Sequence, residues 1–327
     1  MVDPQLRPQS SRAEGQTKEA LICPMCKSAA TSLLFMSANG YPIVQCSECH
    51  LAFTDDREAP PPSTLYPAFE QTKSGVQEAV RSALSVFLRH REAFIRSLTP
   101  RGRLLDFGCG SGAFARWMAK SGGYDVVGLE PFSLGEPMEE PGLLLVRESL
   151  ESAKKHIGTF DVITLWQVLE HLKNPVEVLE QLKTLVKPGG RIVVSVPNFG
   201  SMQSRIFRGA CFHLDPPRHL LHFDGDTLRD CMQRAGLTPA EEKRFLPEYG
   251  GSGWVQSALN RVLPHKNFLF EAIKDRGALR DMNPVSSALH LAASAALGTP
   301  VLAASFPLEA LASARDEAAA LTIAAKV

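Results

Sequence analysis

The chain has 327 residues, 44% of them hydrophobic, and its 35 Lys and Arg balance 35 Asp and Glu. That is enough apolar material for one large domain plus a small accessory one, and too little for a multi-span membrane protein. The balanced charge supplies no global basic field, which weighs against a nucleic-acid partner.

Residues 1–20 are polar, with Pro4, Pro8 and scattered charges, and read as a disordered tail. They lack a charged stretch followed by an apolar one, so no signal peptide is expected and the cytoplasm is the expected compartment. Residues 21–56 carry two C-x2-C pairs, Cys23/Cys26 and Cys46/Cys49, with 19 residues between them. Each pair forms a tight knuckle, and two knuckles present four thiolates tetrahedrally to Zn²⁺. A closed four-cysteine site is structural, so the zinc is expected to hold a core too small to fold alone. Cys109, Cys211 and Cys231 lie outside this module and read as ordinary core or loop thiols.

Residues 57–74, with Pro60, Pro61, Pro62 and Pro67, read as a linker. Across 75–327 helical and strand patterns alternate, which predicts an α/β, doubly wound sheet. Strands are expected at Arg103–Phe107, Asp125–Leu129, Leu143–Val146, Phe160–Leu165 and Arg191–Val196, then near 241–246 and at Ala319–Lys326. Helices are expected at Gly112–Ser121, Pro175–Val186 and Thr227–Ala235, with Lys187-Pro-Gly-Gly190 as a stop and turn. Residues 288–306 hold no Asp, Glu, Lys or Arg but are rich in alanine and serine and broken by Gly298-Thr-Pro300. Two helices packed on the sheet are expected there rather than a membrane span, with a surface helix touching the bilayer as the other reading.

Between the first strand and helix runs Leu104-Leu-Asp106-Phe-Gly108-Cys-Gly110-Ser-Gly112. Glycines there allow positive φ in a tight turn and let backbone N–H groups approach a ligand without an intervening Cβ. The second strand ends in Glu130, 24 residues after Asp106, where a carboxylate accepts hydrogen bonds from both ribose hydroxyls of a nucleoside. These two features fit NAD as well as S-adenosylmethionine.

With the later segments added, "LLDFGCGSGAFARWMA", "VVGLEP", "FDVITLWQVLEHLKNP" and "LVKPGGRIVVSVPN" together resemble the class I S-adenosylmethionine-dependent methyltransferases. The resemblance covers residues 101 to about 245 and implies a Rossmann-like, mostly parallel sheet. It implies that Gly108, Gly110 and Gly112 pack against the donor's methionine portion and that Asp106 organises their loop. It places Glu130 at the ribose, Ser149 and Leu150 beside the adenine, and Gln167 near the bound donor. "CPMC…VQCSECHLAF" with the Pro/Tyr segment after it resembles the zinc ribbon that precedes several bacterial methyltransferase domains; in that segment Tyr66 could cover the donor site.

Beyond the fifth strand, Cys211–Phe223 gathers His213, Asp215, Arg218, His219 and His222, where loops of open α/β sheets bind ligands. "DPPRHLLHF" resembles a segment common in bacterial methyltransferases of polysaccharides and small molecules. His219 is the candidate general base, with His213 and Arg218 next, because imidazole titrates near neutrality. Some related O-methyltransferases hold Mg²⁺ with Glu-x-x-Glu-His, but this chain has Gln167-Val-Leu-Glu170-His171. Losing an acid disfavours a hard cation, so Glu170 and His171 are expected only to shape the helix start and support the pocket. The leading reading is a small-molecule or saccharide methyltransferase with a structural zinc. Its competitors are a ribosomal RNA methyltransferase gripping RNA through the ribbon, and a non-catalytic assembly protein that binds the donor. The acidic-to-neutral ribbon, with Lys27 as its only Lys or Arg, opposes the RNA reading.

Overall fold

The computed structural model describes residues 20–60, 77–131, 135–243, 247–274 and 282–327. The tail before residue 20, Tyr66 and most of the expected linker lie outside them.

Two sheets organise the described residues. The large one runs β11-β12-β9-β8-β4-β5-β7-β6. Its centre is β4 (Gly102–Phe107), flanked by β5 (Tyr124–Leu129) and β8 (Phe160–Trp166), with β7 (Leu143–Arg147) and β9 (Val186–Pro197) outside them. These five strands pair in parallel. They read as continuous apolar runs because helices cover both faces, which leaves no solvent-facing alternation. β12 (Ala320–Lys326) inserts antiparallel between β9 and β11 (Thr238–Lys243). β6 (Gly135–Glu140), which the sequence did not suggest, turns back antiparallel on β7 at the edge. This is the mostly parallel, doubly wound Rossmann-like sheet that was expected.

Two boundaries are corrected. The helix α4 (Pro175–Lys183) stops before Val186, because β9 already pairs there, Val186 lying opposite Phe160. Lys187-Pro-Gly-Gly190 therefore lies within the β9 span, as an irregularity in its register with β8. Gly190 is required there: a Cβ would come within 2.8 Å of the Asp161 carbonyl. The sixth strand also begins earlier than expected, at Thr238.

The second sheet joins the ribbon to the large domain. β1 (Thr31–Met36), β2 (Pro42–Cys46) and β3 (Ala52–Thr54) form a meander, and β10 (Leu221–His222) adds to its edge, antiparallel to β3. Cys23, Cys46, Cys49, Leu51 and Phe53 share one apolar cluster with Leu165, Leu169 and Phe223. The ribbon is part of the main core.

The alanine-rich stretch is one helix, α9 (Pro284–Ala314), and not two helices on the sheet. It packs on α7 (Pro247–Val262), through Gly250 against Glu309 and Gly298 against Val255. Pro300 and Pro307 sit inside it. Each lacks the N–H that would reach the carbonyl four residues before it, and the helix continues through both, held along α7 at Gly298, Ser305 and Glu309.

Candidate active site

The turn after β4 is built for close approach. Gly108, Gly110 and Gly112 have φ of 72°, 55° and 77°, values that side-chain-bearing residues rarely adopt. The amides of Gly108 and Cys109 donate to the Leu129 carbonyl, tying the turn to the end of β5. Gly110 N donates to Glu130 Oε2 at 2.6 Å. A Cβ on Gly110 would meet nothing within 4 Å, so the backbone borders open space. That space, with the buried Glu130 beside it, fits the nucleoside and amino-acid ends of S-adenosylmethionine. Asp106 sits beneath the turn and accepts from Thr164 Oγ1 at 3.0 Å. Burial lifts its carboxyl to about 7, against the pull of Thr164 and of the Arg91 charge. Arg91 stacks over Trp166 at 4.8 Å from the helix α1 (Gln77–Leu98) and was missed from sequence, where nothing marks that helix as facing the turn.

The other expected donor contacts are more dispersed. Ser149 caps the short helix α3 (Leu150–Ala153), accepting from Ser152 N, and Leu150 is buried in the core. Gln167 ends β8 with φ of 58°, and its side-chain amide donates to Ser195 Oγ at 3.3 Å, towards β9. The next residue, Val168, walls the glycine turn: a Cβ on Gly108 would lie 2.5 Å from Val168 Cγ2.

Immediately after Val168, a 3₁₀ turn at Leu169–His171 presents Glu170 and His171. Glu170, His171 and His219 bring their ligand atoms within 4.8 Å of one another. The His171 and His219 rings meet edge-on at 4.8 Å. His171 Nδ1 lies 2.9 Å from the Arg218 carbonyl, and His219 Nδ1 2.9 Å from the His213 carbonyl. A carbonyl only accepts, so each Nδ1 carries the proton and each Nε2 keeps its lone pair. Burial holds both rings neutral, lowering His219 to about 4 and His171 to about 3. Glu170 is fully buried, and among the described residues neither of its oxygens has a hydrogen-bond partner. Burial pushes its carboxyl up to about 8. The donor set of one carboxylate and two imidazoles suits a borderline transition ion better than Mg²⁺, which prefers oxygen.

His213 and Arg218 are drawn elsewhere. A Cβ on Gly253 of α7 would lie 2.3 Å from His213 Nε2, so that ring faces the α7 interface. Arg218 pairs with Asp215 at 2.7 Å. His222, in β10, meets Thr54 Oγ1 at 3.0 Å, while the same hydroxyl donates to the His219 carbonyl at 2.8 Å. The ribbon strand thus braces the backbone that carries His219.

Glu170 gives a stability prediction. Its pKa rises from an ordinary 4.5 to about 8, so the folded chain keeps a proton that the unfolded chain releases. Its stabilising proton is fully present below about pH 4.5 and lost as pH rises to about 8. Denaturant unfolding of Glu170→Gln should lack that decline and gain on wild type by a few kcal/mol, about one per pH unit, across the window. Parallel pH profiles for the two proteins would refute the burial of an unpaired carboxyl.

In the ribbon, Cys23 and Cys49 Sγ lie 3.5 Å apart, Cys26 and Cys46 Sγ 3.4 Å, and all four within 4.8 Å. Tetrahedral Zn²⁺ with bonds of about 2.3 Å sets its sulfurs roughly 3.8 Å apart, so the four thiolates fit zinc.

Residues 76–242 match the family described as "Methyltransferase domain". Ubiquinone biosynthesis O-methyltransferase of Pectobacterium carotovorum is 38% identical over 106 residues, which is 29% of this chain and 43% of that protein. The enzyme of the same name from Escherichia coli K12 is 38% identical over 104 residues, again 29% and 43% of the two chains. The chain thus matches less than half the length of these curated relatives. Among solved structures, a SAM-dependent methyltransferase from Archaeoglobus fulgidus is 18% identical, covering 74% of this chain and 94% of that one at a TM-score of 0.43. Phosphoethanolamine N-methyltransferase 2 of Haemonchus contortus is 13% identical, covering 73% and 52% at 0.44. With the family match spanning half the chain and the glycine turn, Glu130 and the sheet order agreeing with it, the chain belongs to the class I S-adenosylmethionine-dependent methyltransferases.

Proposed function

We propose that this protein moves the methyl group of S-adenosylmethionine to a hydroxyl on a small molecule, with His219 as the general base. The observation that carries the reading is the His219 ring. Its Nδ1–H is fixed on a backbone carbonyl, and its Nε2 lone pair stands in a part-buried cluster next to the turn that borders the glycine loop. A sulfonium methyl is already electrophilic, so the protein has to align the acceptor in line with it and take up one proton. His171, oriented the same way, and Glu170, protonated at neutral pH by its burial, complete a site without net charge that favours a neutral hydroxyl over a phosphate. The relatives named as O-methyltransferases of ubiquinone biosynthesis support oxygen as the acceptor atom and a quinone or phenol as the first class to try. Saccharide hydroxyls are the second class.

The test is transfer of labelled methyl to a panel of phenols, quinone precursors, sugar nucleotides and RNA. Transfer to a phenol or sugar is the expected result, and transfer to RNA alone would overturn the reading. His219→Ala should lower kcat by roughly 10²–10⁴ while leaving donor affinity unchanged. Because burial keeps the ring neutral down to about pH 4, the acid limb of the rate profile should lie near there and not near 6.5. A limb at 6.5 would show that the base is a solvated imidazole elsewhere.

A further inference from the structure

The helix α9 is built inside out. Its buried residues are Ser287, His290, Ser294, Gly298, Ser305, Glu309 and Ala312, a stripe of small and polar side chains along one face. That stripe meets α7 through Gly298 on Val255, Ser305 on Gly251 and Glu309 on Gly250, and the tilted rings of His290 and Phe268 lie 5.0 Å apart. Glu309 is satisfied there, accepting from Trp254 Nε1 at 3.0 Å and Gln203 Nε2 at 3.2 Å. The large apolar side chains point the other way: Val285 is 69% exposed, Leu289 66% and Phe306 70%, with Leu291, Leu297 and Leu302 also exposed. At 3.6 residues per turn these six cover more than half of the circumference. A water-facing helix hides its apolar stripe and shows its charges. This one shows no Asp, Glu, Lys or Arg between Met282 and Leu308, and its mean hydropathy reaches 1.5.

We propose that α9 docks this protein on the surface of a phospholipid bilayer, lying in the interface with its exposed Leu, Val and Phe in the acyl region. Two observations select lipid over a second protein. Small and polar residues on the protein side with large apolar ones outside is the arrangement of helices whose outer solvent is hydrocarbon. The apolar arc is too wide for the single flat face that a partner protein would cover. The sequence between α7 and α9, residues 263–283, carries four Lys and Arg against three Asp and Glu, so no excess of acid opposes anionic headgroups. Contacts with α7 and its neighbouring helix at residues 290, 298, 305 and 309 hold α9 to the protein along its length, so it lies on the membrane without crossing it. Its C-terminal end leads to Ala320, which pairs with Pro197 at the carboxyl edge of the parallel strands. The membrane surface therefore adjoins the side of the sheet that carries the glycine turn and the histidines.

The test is flotation of the full-length, zinc-loaded chain with vesicles of phosphatidylcholine and phosphatidylglycerol, without donor or acceptor, so that its outcome is independent of the methyl-transfer reading. The chain should float with vesicles, and Leu289→Glu/Phe306→Glu should reduce partitioning at least tenfold with an unchanged thermal transition. Vesicles of phosphatidylcholine alone should still bind, more weakly. Wild-type protein that stays in the soluble fraction would overturn the proposal. So would binding that disappears without the anionic lipid, which would assign attraction to basic side chains and not to the apolar face of α9. A dimer that Leu289→Glu/Phe306→Glu dissociates, without vesicle binding, would make α9 an interface between two copies instead. Should the double variant fail to fold, Leu297→Ser/Leu302→Ser makes the same comparison with uncharged side chains.

Discussion

Gly110→Val is expected to abolish S-adenosylmethionine binding in a chain that still folds. The residue sits at φ 55°, where a β-branched side chain is strained by about 1–3 kcal/mol. That cost is local and within the stability of a typical domain. A Cβ there meets nothing within 4 Å beyond its chain neighbours, so the new side chain extends into the space that the donor must fill. The strain also pulls on the amide that donates to Glu130, the carboxylate expected to bind the ribose. Loss of roughly 3 kcal/mol or more of binding corresponds to at least about a hundredfold weaker affinity by calorimetry. Normal binding by a folded variant would contradict the assignment of the turn. Gly108→Val makes a useful contrast, because its Cβ already collides with Val168 and the damage should extend to folding.

Zinc removal should have the larger structural effect. Structural zinc contributes on the order of 10 kcal/mol in small zinc modules, about as much as the whole stability of an ordinary domain. Here the thiolates are not confined to a separable appendage. Cys23, Cys46 and Cys49 are buried in the cluster that contains Leu165 and Leu169 of the parallel sheet and its adjoining turn. Cys46→Ser, or exhaustive chelation, should therefore broaden or abolish the thermal transition of the entire chain, and elemental analysis of the native chain should find one zinc. A zinc-free chain that melts as before would show that the ribbon is an independent ornament. Because Thr54 also donates to the His219 carbonyl, partial loss of zinc should reduce methyl transfer before it reduces donor binding.

What the sequence made legible follows from locality. Buried parallel strands, the glycine turn, Glu130 and the cysteine knuckles are each written within a few adjacent residues; the structure forms the strands, brings Glu130 to the turn and gathers the four thiols. The features that were missed depend on distant partners. β6 reads as a polar Gly-Glu-Pro-Met-Glu-Glu run and becomes a strand only because β7 offers it an edge. His219 was a candidate by type, but its nearness to Glu170 rests on backbone pairing, Leu220 N donating to the Glu170 carbonyl, with no local signature. His213 stood next after it, and the direction of its ring, towards Gly253 of α7, has no local signature. The interrupted alanine-rich stretch suggested two helices because Pro300 is a helix breaker in water-soluble sequences, and the packing on α7 that holds one helix across it depends on residues distant in the chain.

The pairing of β10 with β3 also sets an order of events during synthesis. Thr54 and His222 meet across 168 residues of chain. At about 5–20 residues per second the ribosome takes roughly ten to thirty seconds to cover that distance. Through this interval the ribbon has all four cysteines and can take its metal, yet its sheet lacks an edge strand and its apolar face lacks the core it will join. Metal bound in that interval would hold the two knuckles together before the segment that carries His219 is made. A ribosome stalled before residue 221 would expose that edge, which makes the first module the one most dependent on prompt metal supply and on shielding from other nascent chains.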